Sequence, residues 1–241
     1  MKKQKRLRLE ALSHADLPQV APELYDAWIR HVFDRPADDP GWYFDSSTGS
    51  TTFDASDEEV AALFIQTMMR SGQDLKVFSD EQVSHGLNYM TNPACSDICG
   101  RVSDRSLALP LRKAVVLSIR TLYADCLGRR CAPALSHNHE SQGARLNITC
   151  FMFWDVTPLL HWHRDPDRIE MEHMVLDVLR AGLELPNPAC QESALHGLGH
   201  FHMASGRRSD SNAIIAGYLE RTAVSPALLR YAQSAATGTV Q

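Results

Sequence analysis

The stretch 187–203, NPACQESALHGLGHFHM, reads as one helix with a marked start, a small-residue waist and a line of imidazoles. Asn187 suits the N-cap, where its side-chain oxygen takes a free backbone N–H of the first turn. Pro188 follows at the first helical position, where a missing N–H costs nothing and φ is already helical. Cys190, Ala194, Leu198 and Phe201 recur at helical spacing, and Leu195 widens the stripe. Gly197 and Gly199 are each less favourable than alanine in a helix by about 0.8–1 kcal/mol. Their presence predicts a close approach by a neighbouring helix that a Cβ would block.

Glu192, His196 and His200 stand four residues apart and stack along one face, while His202 falls on another. An i, i+4 histidine pair is the helical part of many zinc sites. The general-base glutamate of HExxH is missing here. Two readings follow. Either the rings are packing histidines bonded to nearby backbone or carboxylates, or one or more is a base or ligand. In the second case the candidate set is Glu192, His196 and His200, holding a transition metal such as zinc. His161, His163 and the Glu170-x-x-His173 pair are further candidate ligands, and His137, His139 and Glu140 form a separate loop cluster.

The 241 residues suffice to bury a substantial core, and the chain is expected to form a single domain over 1–241. The net charge of −5 gives no general reason to bind nucleic acid or an anionic membrane. Clusters at Arg101, Arg105, Arg112 and Lys113 and at Arg207 and Arg208 leave a basic face as a minority reading. No apolar run approaches the ~20 residues that span a bilayer. The basic start MKKQKRLRLEAL has no apolar run behind it, so it reads as a solvated turn or short surface helix rather than a secretory signal. The six cysteines form no CxxC, so zinc-ribbon and thioredoxin spacings are absent, and in a chain of this size without a signal they are expected to be reduced thiols in the cytoplasm, here taken to be bacterial. Cys150 and Cys190 look like small core residues, and Cys95 and Cys99 lie in a loop.

Periodicity predicts helices over 17–33 and 57–70, the second stopped by Gly72. The sequence Ser79-Asp80-Glu81-Gln82 is a capping box for a third. Residues 94–108 read as irregular, and Pro110 opens a helix that Gly128 ends. The apolar segment 146–154 suits a strand or a buried helix, and the lack of partner strands favours helix. Asp167-x-x-Glu170 is a second capping box, for a helix that Gly182 closes. Helices at 209–220 and 225–235 complete the set. Residues 34–56 form a long irregular loop whose Trp42, Tyr43 and Phe44 are expected to dock, and 236–241 are expected to fray.

From residue 167 to 235 the pattern runs helix, turn, helix, twice over, with steps of about forty residues between equivalent starts. In that spacing, and in the phrase NPACQESALHGLGH, the chain resembles HEAT and armadillo repeats. The resemblance covers the last third of the chain; the hairpin at 57–91 is similar to a further unit, and the spacing from 91 to 167 departs from the period. It implies an all-α fold of antiparallel helical hairpins stacked as a short, irregular α-solenoid. It also implies a curved helical scaffold that binds another macromolecule; since the sequence carries no P-loop, GxSxG or GxGxxG motif, the expectation is a non-enzymatic scaffold for a protein partner, without cofactor. A net-acidic chain suits a basic partner. The alternative is a metal-binding protein or metal-dependent enzyme built on the histidine cluster around His196 and His200.

Overall fold

Side-chain caps and prolines mark where several helices begin. α1 (Pro22–Phe33) starts on a proline. α2 (Asp57–Asp74) opens on a capping box made by Ser56 and Glu59, and α3 (Asp80–Thr91) on the predicted one made by Ser79 and Gln82. The short α4 (Ile98–Ser103) lies in the stretch read as irregular. α5 (Leu109–Thr121) runs on through a π-helical turn, Leu122–Leu127, into α6 (Gly128–Arg130). α7 (Arg145–Val156) confirms the helical reading of 146–154. α8 (Arg168–Leu183), α9 (Pro188–Ala204), α10 (Arg208–Arg221) and α11 (Pro226–Thr237) follow.

The computed structural model describes residues 19–39, 41–45, 51–204 and 207–240, and among them the chain is all-α, with no strand. The basic segment 1–12 lies outside the described residues. No described helix is long and apolar enough to cross a membrane.

α9 is the centre. It packs against α7, α8, α10 and α11, and residues 189–199 are all buried. α2 packs on α5, α3 packs on α7, and α5 packs on α8, so the first half of the chain joins the second through α3, α5 and α7. Consecutive helices touch in the last third: α8 on α9, α9 on α10, α10 on α11.

Three expectations about helix ends change. Gly72 lies inside α2, where a Cβ would stand 2.9 Å from the Asp125 carbonyl oxygen, so this glycine admits the π turn rather than stopping the helix. Gly128 does not end its helix either, since the chain winds on to Arg130. Asp167 makes no cap bond, because its carboxylate accepts from buried Arg112 at 2.6 Å, beside Asp165 at 2.7 Å. The basic cluster is also committed internally. Arg101 pairs with Asp57 and Lys113 with Glu170.

The described part of the 34–56 loop docks through its aromatics. Trp42 and Tyr43 are buried against Tyr89, the Arg35 guanidinium lies 4.0 Å from the Trp42 ring, and Phe53 meets Trp28 edge-on at 5.1 Å. Phe44 departs from the expectation and points outward. The C-terminal segment does not fray at 236. α11 continues to Thr237, Gly238 turns the chain at φ 75°, and Val240 packs on the core.

Val240 lands on Gly199, where a Cβ would stand 2.5 Å from its Cγ1. At Gly197 a Cβ would meet Leu179 at 2.6 Å and the Trp154 ring at 2.8 Å. Both waist glycines therefore serve close approach. Alanine at 197 gains about 0.8–1 kcal/mol of helix propensity, but overpacking a core costs roughly 1–3 kcal/mol. The buried indole has little room to shift, so overpacking should win. Gly197→Ala should lower the urea unfolding midpoint, by about 1 kcal/mol in stability; an unchanged or raised midpoint would mean that the waist is not tight.

Candidate metal centre

α7 and α9 lie side by side, and their neighbouring ends bring three ligand-type side chains together. His196 and His200 follow one another on a face of α9, and Asp155 comes from the last turn of α7. The His200 Nε2 is 2.9 Å from the His196 Nε2 and 3.1 Å from the Asp155 Oδ1. One donor atom from each residue lies within 4.8 Å of the other two. Two nitrogens on a tetrahedral zinc, each at 2.0–2.1 Å, stand roughly 3.3 Å apart. A small outward shift of the rings would therefore admit an ion.

The three groups differ in depth. His196 is 2% exposed, whereas the side chains of His200 and Asp155 keep 31% and 39% of their surface. The centre therefore has a closed inner wall and an open outer side. Tyr231 of α11 supplies the inner support, with its hydroxyl 2.6 Å from His196 Nδ1. When Nδ1 carries the proton and donates to that hydroxyl, the Nε2 lone pair faces His200 and Asp155. Fixing the tautomer through the far nitrogen is the usual way a ligand histidine is oriented. The Tyr231 ring stacks on His137 at 4.4 Å, and Phe151 packs on His196 at 4.5 Å.

Asp155 is placed against electrostatic preference. A carboxylate in the last turn of a helix faces the negative end of the helix dipole, where cations are favoured. Its partner in the structure is His200. An ion bound here would neutralise both the carboxylate and the dipole end.

Glu192 does not join this group. It is 0% exposed and binds in the other direction, to the loop after α6. Its carboxylate accepts from the Ser136 N–H at 2.8 Å, the His137 N–H at 3.0 Å and the His137 ring at 2.5 Å. The i, i+4 spacing placed it on the histidine face, but the loop claims its oxygens. The loop cluster dissolves for the same reason: His137 serves Glu192, and Glu140 binds Asn138. Glu170 pairs with Lys113, and His202 is buried elsewhere along α9, beside Gly238. His161 sits just past α7, close enough for the charge on His200 to depress its pKa, an effect second to burial.

The residues missed from sequence are Asp155 and Tyr231. Asp155 carried a signal, a lone acid closing the apolar run FMFWD against the helix dipole. Tyr231, thirty-five residues beyond His196, carried none. The cysteines offer no competing centre. Cys150 lies among Cys131 and Cys190, all three buried, and its contacts with those thiols, then burial, push its pKa far up, which keeps it a thiol. Compared with known families, curated proteins and solved structures, the chain matches none.

Burial, and after it His200, lowers the His196 pKa to about 4 from an ordinary 6.5, with Asp155 opposing. Between those values the unfolded chain binds a proton that the folded, metal-free protein does not. Stability is therefore complete above about pH 6.5 and is lost as pH falls toward 4, by at most about 1.4 kcal/mol per pH unit from this group. Urea midpoints of metal-free protein should fall across that window, less steeply in His196→Gln. Parallel slopes would show that His196 is not buried as described.

Proposed function

We propose that this protein binds one divalent transition metal ion, zinc by preference, through Asp155, His196 and His200. The observation that carries the reading is the convergence of these three donor atoms from two helices, with Tyr231 behind His196. Two imidazoles and a carboxylate suit zinc and related first-row metals. Three protein ligands with an open side are the arrangement of catalytic zinc sites, in which the remaining position holds water or substrate. The partial exposure of His200 and Asp155 supports that openness. A metal held there by Asp155, His196 and His200 would lower the pKa of a bound water and so would supply a nucleophile at neutral pH. Metal-assisted hydrolysis is the reaction class that fits. The scaffold reading rests on the repeated hairpin plan and on the lack of a strong catalytic motif, whereas the metal reading is supported by three converging donor atoms.

Asp155 and His200 are the useful positions to alter, because both are partly exposed and their loss should leave the fold intact. Elemental analysis of untagged protein equilibrated with zinc and desalted should find one ion per chain. Zinc titration should show Asp155→Asn and His200→Ala weakened by more than about 100-fold, and Tyr231→Phe by about 10–100-fold, as for loss of a partner behind a ligand. Glu192→Gln should keep full occupancy while losing about 1–3 kcal/mol of stability, since it leaves loop donors poorly paired. Stoichiometric zinc that survives in Asp155→Asn and His200→Ala, or no zinc in the parent protein, would contradict the assignment.

A further inference from the structure

A cleft of about 270 Å³ opens between α3 and α7. That is at the small end of ligand sites, which run from roughly 300 to 1,000 Å³. None of the residues lining it belongs to the Asp155–His196–His200 group, so it is a separate place on the molecule. α7 contributes an apolar surface of Ile148, Met152 and Phe153, and Ile148 is 46% exposed. The polar lining includes His85 and Arg145. Ser84 and Thr149, also in the lining, already bond one another at 2.6 Å.

His85 is the anomaly. Its side chain is 6% exposed, yet neither ring nitrogen has a hydrogen-bond partner. A buried polar group left unpaired is destabilising, and native proteins nearly always supply a partner. Burial, and then the charge on Arg145, lowers its pKa, with Asp39 and Glu81 opposing. A neutral imidazole offers one N–H donor and one acceptor. Arg145 is exposed and makes no short ion pair among the described residues, though the Glu81 carboxylate is near enough to feel its charge. The cleft thus presents the Arg145 cation with Glu81 within reach of its charge, an unpaired imidazole buried in its lining, and an apolar wall at Ile148 and Met152.

We infer that this cleft binds a small organic monoanion, a carboxylate on a compact apolar body. The guanidinium of Arg145 takes the carboxylate in paired hydrogen bonds, the geometry this fork matches best. A small turn of the His85 ring brings its N–H to the ligand as a further donor, and the body of the ligand covers Ile148 and Met152. With Glu81 within reach of the same guanidinium, the single cation supports no more than one further negative charge. An inorganic anion would leave the apolar wall wet, and a neutral hydrocarbon would leave both Arg145 and His85 without partners.

The test uses the full-length chain freed of metal by chelation, so that no carboxylate can be held at the metal centre. Hydrocinnamate, hydrocinnamyl alcohol and acetate are titrated while the histidine ring NMR signals are followed. Hydrocinnamate should saturate one site with Kd below about 1 mM and shift the His85 ring signals. The alcohol and acetate should bind about tenfold or more weakly, the first lacking the charge-assisted bonds and the second the apolar contact. Arg145→Gln, a surface change, should bring the acid down to the level of the alcohol while leaving the alcohol unchanged. Acid and alcohol binding equally, no shift of His85 at saturating acid, or full acid affinity in Arg145→Gln would each overturn the inference.

Discussion

Enclosing a helix on every side obliges each polar side chain it carries to find a partner inside the protein, because water is excluded. α9 is under that constraint along most of its length, and its neighbours are arranged around it. Gln191 donates to the Leu185 carbonyl and accepts from Tyr218. Glu192 gathers the Ser136–His137 loop. Ser193 donates to the Cys150 carbonyl and meets Tyr123. His196 bonds Tyr231. These bonds tie the π turn, the loop after α6, α7, α10 and α11 to one axis. The two glycines then set how closely that axis can be approached, by Trp154 and Leu179 at one and by Val240 at the other.

The candidate metal centre forms where this constraint relaxes. Along α9 the environment passes from buried at His196 to half-buried at His200 and exposed at Met203. The inner histidine is oriented by a hydroxyl it must bond in any case. The outer one reaches the surface beside Asp155, in the last turn of α7. Rigidity within and openness without are what a ligand set needs in order to hold an ion and still leave a coordination position free. The waist glycines contribute indirectly: without a Cβ at 197, Trp154 can lie against α9, and Asp155 follows it in the chain.

Helix positions were largely legible in the sequence because caps, prolines and periodicity act locally. The Ser79 box, Asn187, Pro188 and Ser225-Pro226 all do what their residue types dictate. Glycine was harder to read. Gly72 admits a neighbour from within a helix rather than ending one, and Gly182, one residue from the end of α8, admits Ala194 as well; that role is visible only when the neighbour is known. The forty-residue spacing showed that helices alternate in the last third but not that α9 would be surrounded, since α7 arrives from outside the period. The site was half legible for the same reason. His196 and His200 are four residues apart and had to be adjacent. Asp155 and Tyr231 come from other helices, and Glu192, which local spacing put in their place, is held by a loop some fifty residues earlier.

X-ray absorption at the zinc edge of the loaded protein tests the central claim most directly, because it counts ligands without altering any of them. The account predicts a shell of nitrogen and oxygen only, near 2.0–2.1 Å, with the outer scattering of two imidazoles and no sulfur. A sulfur shell near 2.3 Å, or the scattering of one imidazole or of more than two, would place the ion elsewhere and contradict a centre built from Asp155, His196 and His200.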